Sequence, residues 1–236
     1  MALDVYVGSL TRYYTGDWEN IVEKAARERG VQYKAARQEH AADAEGDPRQ
    51  ARALVLAWQR NLGTALGEKI TLPLTWSEAE DAPYFTGRPG WDAFGSLVLW
   101  AAYAEQPTAR RPHELAEEWD DDPALVQSNA EDFTSRFSHL VRNVELWLPS
   151  PFEFVFEAED VDGSRIVIGS VITLRRQLVE LNQGTWQGAE DLVAHWAKRA
   201  PGKGDSLEVG AQHAFGVLFD LATVATDHRL PMKLDY

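Results

Sequence analysis

The chain of 236 residues contains no cysteine. Disulfide bonds, thiol nucleophiles, iron–sulfur clusters and cysteine-containing zinc sites are therefore excluded. The sequence also lacks a run of about 18 apolar residues, which a membrane-spanning helix would need. Its first residues do not show a basic segment followed by an apolar one. We therefore expect neither secretion nor membrane insertion, and a cytoplasmic location.

Positive charge is scarce as well. The 23 Lys and Arg residues face 37 Asp and Glu residues, which gives a formal net charge of -14 at pH 7. The densest basic points are only pairs, Arg110 with Arg111 and Arg175 with Arg176. Repulsion from phosphates and anionic headgroups predicts no nucleic-acid partner and no membrane partner. An excess of acidic residues mainly favours solubility, but it also matches a basic protein partner.

Familiar catalytic and cofactor motifs are missing. Neither G-x-S-x-G nor G-x-G-x-x-G occurs in the sequence, so the usual serine hydrolase and dinucleotide folds lack support. Residues 201–206 do not have the spacing of a phosphate loop, and Asp205 or Ser206 as the N-cap of the last helix explains them. Residues 160–163 resemble part of a calcium loop but miss two ligand positions, so they predict a hairpin turn. We predict no cofactor and no metal.

The six histidines are dispersed along the chain. His139, His195 and His213 lie on predicted helices beside apolar residues. The ordinary interpretation is a buried histidine with satisfied hydrogen bonds, and a metal or base site shared by three helices is the alternative. His113 and Glu117 stand four residues apart, where exposed capping of a short helix is favoured over a shared metal.

Apolar periodicity predicts a mainly helical chain. Alternation over residues 3–7 predicts a strand that ends at Gly8, and helical spacing then runs from Trp18 to Gly30, with Thr15 or Asp17 as the N-cap. Residues 34–50 predict a loop or an exposed helix. Further helices are predicted over residues 54–66, 91–103, 133–147, 174–181, 189–200 and 207–226. The helix at 91–103 is apolar nearly all round, so we expect it in the middle of the core.

Two alternating runs around Asp162 and Gly163 predict a hairpin on a primed turn. The predicted fold class is α+β, mostly helical, with a small antiparallel sheet made of the hairpin at residues 152–170 and the N-terminal strand. Residues 230–236 are expected only to pack against the rest. At this length, residues 1–236 are predicted to form a single globular domain.

Aromatic and polar side chains crowd the loop after the first strand, which holds Arg12, Tyr13, Tyr14, Asp17 and Trp18. Core packing is the commonest role of such aromatics. Donors and rings at the carboxyl end of a strand nevertheless predict a binding surface. Asp17 is expected to cap the following helix, and Arg12 and Tyr14 are expected to face solvent or a ligand.

Residues 5–18, taken with residues 91–95, resemble uncharacterised bacterial cytosolic proteins, some of them immunity partners of secreted toxins. This resemblance implies a binding protein without chemistry and assigns no site residues. Together with the charge, it predicts a non-enzymatic protein that binds a basic protein partner such as a toxin or nuclease. The alternative is a small-molecule enzyme or binding protein whose aromatic-lined pocket uses Tyr14, Asp17 and a helical histidine.

Overall fold

The computed structural model describes residues 3–33, 47–202 and 204–236. The helices in these residues are α1 (Leu10–Tyr14), α2 (Ile21–Glu28), α3 (Pro48–Leu66), α4 (Trp91–Ala104), α5 (Pro123–Asn129), α6 (Ser138–Val141), α7 (Val171–Gly184), α8 (Glu190–Lys198) and α9 (Leu207–His228). The strands are β1 (Asp4–Val7), β2 (Phe85–Gly87), β3 (Val144–Leu148), β4 (Phe156–Glu159), β5 (Arg165–Ser170) and β6 (Met232–Asp235).

The strands form one mixed sheet in the order β2-β1-β6-β3-β5-β4. Strands β3 and β5 run parallel, and every other neighbouring pair is antiparallel. The C-terminal strand β6 lies in the interior of the sheet, where Val5 faces Leu234 on one side and Leu146 faces Lys233 on the other. The first and last strands of the chain are therefore neighbours.

Both faces of the sheet are covered. Because side chains alternate along a strand, Val5 and Val7 belong to one hydrophobic cluster and Tyr6 to a second. The first cluster contains the buried sides of α4, α7 and α9, and the second contains α1 and the apolar side of α3. The α+β fold class is thus confirmed, with two cores separated by a single sheet.

The two long helices of the first layer, α4 and α9, pack closely because small residues meet at their contact. A Cβ atom added to Gly210 would lie 2.7 Å from the Ser96 hydroxyl oxygen. Helix α4 is buried along most of its length, as its apolar pattern predicts. The close contact brings the N-terminal ends of both helices to the same side of the molecule.

The other long helices are also found where the periodicity predicts them. Helices α3, α7, α8 and α9 cover the predicted ranges within a few residues, and α3 begins at Pro48. Ser206 caps α9 by accepting from the Val209 amide. Proline is favoured at a first helical position because it has no N–H to leave unpaired, and serine is favoured at an N-cap because its hydroxyl accepts from a free amide.

The sheet departs from the prediction. It has six strands and includes one parallel pair, so the expected small antiparallel sheet is wrong. The hairpin of β4 and β5 is confirmed, but β1 pairs with β2 and β6 rather than with the hairpin. The expectation that residues 230–236 only pack is wrong as well, because Met232–Asp235 form β6 in the interior of the sheet. The strand was missed because it is short and its partners are remote in sequence.

The predicted helix over residues 133–147 is replaced by the short α6 and the strand β3. Asn143, at a φ of 51°, breaks the helical path between them, and asparagine tolerates this left-handed conformation. Strand β3 buries Val144 and Trp147 on one face and Leu146 and Leu148 on the other. Apolar residues on both faces of an interior strand imitate helical spacing, which explains the error.

The remaining N-terminal predictions need smaller corrections. The region from Trp18 to Gly30 contains α2 only from Ile21 onward, and the separate helix α1 precedes it. Thr15 is the C-cap of α1 rather than an N-cap. Residues 34–46 of the predicted loop or exposed helix lie outside the described residues.

The turn predicted at residues 160–163 is confirmed, but it is not a primed turn. The Gly163 amide donates to the Asp160 carbonyl at 3.0 Å, and the Asp160 amide donates to the Ser164 carbonyl at 2.7 Å. Gly163, at a φ of 84°, is the connection's one residue with positive φ. A primed turn requires positive φ at its first central residue, whereas a type I turn followed by a glycine bulge matches this pattern.

A buried ion pair ties the hairpin to the middle of the sheet. The Lys233 ammonium of β6 donates to Asp160 Oδ2 at 2.6 Å, and both side chains are less than a tenth exposed. The Val161 amide donates to the other Asp160 oxygen at 2.7 Å. Two charges taken out of water need each other, since either one alone would keep its full desolvation cost.

Replacing Lys233 by Met is therefore expected to lower the free energy of unfolding by about 3 kcal/mol, because it leaves the Asp160 carboxylate buried without its cation. The double variant with Asp160→Asn should recover part of that loss. Urea denaturation of the parent, both single variants and the double variant measures the coupling. Additive losses from the two single variants would contradict a stabilising pair.

Candidate functional site

The five residues predicted to bind a ligand do not form one exposed surface. Tyr13, Tyr14 and Trp18 are 4%, 8% and 5% exposed, whereas the side chain of Asp17 is 77% exposed. The side chain of Arg12 is 17% exposed. The expectation that Arg12 and Tyr14 both face solvent or a ligand is therefore wrong for Tyr14.

The buried rings pack on one another and on the sheet. Tyr6 contacts Tyr13 with a centroid distance of 5.4 Å and Trp18 with one of 5.0 Å, and Tyr13 stacks on Trp18 at 5.8 Å. The Tyr13 hydroxyl donates to Asp235 Oδ1 at 2.9 Å. Burial raises the pKa of Tyr13 and of Tyr14 well above the usual value, and nearby carboxylates raise it further. Both phenols stay protonated within the core.

Arg12 acts as an internal clamp. Its guanidinium donates to the carbonyls of Glu80 and Ala82, both at 2.6 Å, and to Asp17 Oδ2 at 3.3 Å. It also lies 5.2 Å from the ring centre of Tyr84. These contacts fasten the segment before β2 to α1, so most of the donors of Arg12 are already used within the fold.

The start of α1 is also occupied by a side chain of the protein. Glu78, which is 4% exposed, accepts from the amides of Leu10 and Thr11 at 3.0 and 2.7 Å. The Trp76 indole N–H donates to the same carboxylate at 2.6 Å. A cleft of about 510 Å³ lies beside this point and includes Arg12, Asp17 and Glu78 in its lining. The amides at the start of α1 are already bound by the Glu78 carboxylate, so they are not open to an anionic ligand.

Asn20, and not Asp17, caps α2. The Asn20 side-chain oxygen accepts from the backbone amides of Val22 and Glu23 at 3.0 and 2.9 Å. The Glu23 carboxylate in turn accepts from the backbone amide of Asn20 at 2.9 Å. This reciprocal pair is a capping box. The side-chain amide nitrogen of Asn20 also donates to the Asp4 carboxylate, so the cap links α2 to β1. The predicted capping role of Asp17 is wrong.

The buried histidines have structural roles. His139 is fully buried, and its Nδ1 accepts from the Ser170 amide at 2.9 Å at the start of α7. Burial lowers the pKa of His139 to about 4, so this imidazole is neutral near pH 7. His213 is 5% exposed with Nδ1 3.1 Å from the Trp196 carbonyl oxygen, while His195 is exposed. Within the described part of the chain, no group of three or more His, Asp and Glu could hold a metal ion.

A different cleft combines several carboxylates with a half-buried indole ring. It has a volume of about 660 Å³ and is lined by the start of α4, the loop before α5 and the segment that leads into α9. We call it the acidic cleft because four carboxylates line it: Asp92, Glu114, Glu117 and Asp205. Among the described residues, no Lys or Arg lines this cleft.

Three of these carboxylates are accessible to a cation from solvent. Asp92, Glu114 and Glu117 are exposed, and none of them forms an ion pair with a described Lys or Arg. Glu114 lies 3.9 Å from Nδ1 of the exposed His113. Asp92 stands in the first turn of α4, near the positive end of the helix dipole.

Aromatic rings form part of the lining of the acidic cleft. Trp91 is half-buried, and its ring centre lies 6.1 Å from that of Trp119 and 5.6 Å from that of Tyr236. Indole faces attract cations, most strongly where water is partly excluded. The combination of carboxylates and indole rings therefore suits an ammonium or guanidinium group.

The sequence pattern did not identify this cleft. Its walls come from residues that are more than 100 positions apart, such as Asp92 and Asp205. The only local signal is the acidic run around Trp119, from Glu117 to Asp122, which by itself has the composition of an ordinary solvated loop. The contact of α4 with α9 is what joins the three segments.

A comparison of the chain with protein-family models, with curated proteins and with solved structures finds no match in any of the three. None of the helices in the described residues has the length and apolar character needed to cross a membrane.

Replacing Asn20 by Ala is expected to lower the free energy of unfolding by about 1 kcal/mol, since it removes the cap of α2. Asp17→Ala should stay within about 0.5 kcal/mol of the parent, because Asp17 is exposed. Urea denaturation compares the two variants directly. An equal loss from both would contradict the assignment of the cap.

The double replacement of Arg12 and Tyr14 by Ala should cost about 3 kcal/mol or more, because it opens a cavity at Tyr14 and releases the clamp. The change in the midpoint of urea denaturation measures this loss. A melting temperature close to that of the parent protein would instead restore the two side chains as candidates for an exposed binding surface.

The folded protein should lose stability in acid through His139. The folded pKa of about 4 lies below the ordinary value of 6.5, so the unfolded chain binds more protons as the pH falls through this window. His139 should therefore lower the free energy of unfolding by about 2 kcal/mol as the pH falls from about 7.5 to about 5. His139→Asn, which keeps an acceptor for the Ser170 amide, should flatten the pH dependence. His113→Asn is the exposed control and should leave the slope unchanged.

Proposed function

We propose that this protein binds a basic protein partner in the bacterial cytoplasm without catalysing a reaction, as immunity proteins do. The observation that carries the proposal is the acidic cleft, whose described lining contains four carboxylates and no Lys or Arg beside the half-buried Trp91. The formal net charge of -14 would attract the same kind of partner over a longer range.

The chemistry of the cleft favours a side-chain cation of the partner as the group that enters it. A Lys or Arg side chain has an apolar stem that can cover indole surface while its charged end reaches carboxylates. Asp92, Glu114 and Glu117 are exposed, so a partner could reach them without rearrangement of the core. Electrostatic complementarity of this kind raises the rate of association and selects the partner.

The alternative function, a small-molecule enzyme or binding protein, required an aromatic-lined pocket at the loop after β1. That role needs Tyr13, Tyr14 and Trp18 to line an open cavity, and their rings instead pack in the core. His139 is neutral near pH 7 and already accepts a backbone hydrogen bond. The geometry therefore favours the binding protein.

A fluorescent octalysine peptide is the simplest probe of the acidic cleft, with binding followed by fluorescence anisotropy. The triple variant Asp92→Asn, Glu114→Gln, Glu117→Gln should bind it about tenfold more weakly at low salt, because three attractive charges are removed. Trp91→Leu should weaken binding about threefold without a change of charge, since it removes a cation–π contact. Raising the ionic strength should reduce the difference between parent and triple variant.

The matched control is the triple variant Glu68→Gln, Glu131→Gln, Asp227→Asn, which changes the net charge equally at exposed positions outside the cleft. It should retain most of the affinity of the parent. Equal weakening in both triple variants would mean that the peptide responds to net charge alone, and the proposed site would be wrong. Absence of any binding at low salt would overturn the proposed function.

A further inference from the structure

Arg111 is seated on an aromatic surface of the protein itself. Its guanidinium carbon lies 3.5 Å from the ring centre of Trp100, a residue of α4 that is 6% exposed. Trp186 stacks on Trp100 with a centroid distance of 5.0 Å and an interplanar angle of 15°. A planar guanidinium stacks on indole better than an ammonium does, because it is more weakly hydrated and presents a flat face.

A carboxylate completes this arrangement. The Trp186 indole N–H donates to Glu208 Oε1 at 3.1 Å, so Glu208 is fixed beside the stacked rings. Burial lowers the pKa of Arg111, and the charge of Glu208 acts in the opposite direction. Trp100, Trp186 and Glu208 thus form a seat for a guanidinium, which we call the guanidinium seat.

Stacking on the Trp100 ring holds Arg111 in this seat. Within the described residues, Nε of Arg111 and Nε1 of Trp100 are buried without a hydrogen-bond partner. Leaving buried donors without acceptors costs free energy, so the contact with the ring must offset that cost. A lysine, with a compact ammonium, would not reproduce the contact.

The same loop forms a wall of the acidic cleft. Two residues after Arg111, the His113 carbonyl accepts from the Leu207 amide at 2.8 Å, which attaches the loop to the start of α9. Residues 114–117 follow directly and line the acidic cleft. The seat of Arg111 and the bond to Leu207 are therefore the anchors immediately before this wall.

We propose that Arg111 is a positioning residue, which occupies the guanidinium seat and thereby holds residues 114–117 in place as a wall of the acidic cleft. The effect on ligand affinity rests on the proposed function, whereas the effect on the loop anchor does not.

The test compares Arg111→Ala with Arg110→Ala, a matched control that removes the same charge from an exposed neighbour. Simple electrostatics predicts that loss of either positive charge strengthens binding of the octalysine peptide. The positioning role predicts that Arg111→Ala weakens binding about fivefold while Arg110→Ala does not weaken it. The opposite signs separate the two explanations.

Hydrogen exchange of the Leu207 amide reports on the anchor directly. Exchange should be about tenfold faster in Arg111→Ala, and added methylguanidinium should restore protection by filling the vacated seat, whereas methylammonium at equal concentration should not. Arg111→Lys should resemble Arg111→Ala. If Arg111→Ala does not fold, Arg111→Lys carries the same measurement.

Unchanged Leu207 protection in both variants, full protection with lysine, or equal rescue by methylammonium would overturn the inference. If the parent protein does not bind octalysine, the proposed function fails, and the exchange and rescue measurements still decide whether Arg111 anchors the loop.

Discussion

The pairing of β6 between β1 and β3 is the constraint on which the rest of the fold depends. This strand joins the N-terminal pair, β1 and β2, to the C-terminal group of β3, β4 and β5. Without it the two groups would have unpaired edges, and buried backbone groups without partners are costly. Its Lys233 also carries the buried ion pair with Asp160, so the strand contributes both backbone and side-chain bonds to the junction.

The sheet divides the interior into two cores with different chemistry. On one face the long helices α4 and α9 meet through small residues, and their N-terminal ends contribute two walls of the acidic cleft. On the other face, the aromatic residues of α1 and its neighbours pack in the core, and Tyr13 donates to Asp235 of β6. Arg12 is bound to the segment before β2. This division explains why the first face offers exposed charge, while the predicted aromatic surface on the second is mostly buried.

Sequence patterns predicted the structure correctly where the residues of a single helix were enough to explain the pattern. Ser206 caps α9 as predicted, and the uniformly apolar α4 is buried. The same rules failed for β3, because an interior strand covered on both faces lacks the alternation that marks a half-buried strand. They also failed at Asp17, since Asn20 with Glu23 supplies a stronger reciprocal cap three residues later.

The sequence by itself determined the excess of negative charge, the exclusion of cysteine chemistry, the positions of the long helices and the hairpin at Gly163. Each of these properties is set by composition or by residues within one turn or one element. Only the tertiary structure decided that β6 enters the sheet, that Tyr13 and Tyr14 are core residues, and that Asp92, Glu117 and Asp205 share a cleft. These outcomes depend on which remote segments of the chain meet. Strand pairing and helix packing decide which segments meet, and these contacts leave no local periodicity in the sequence.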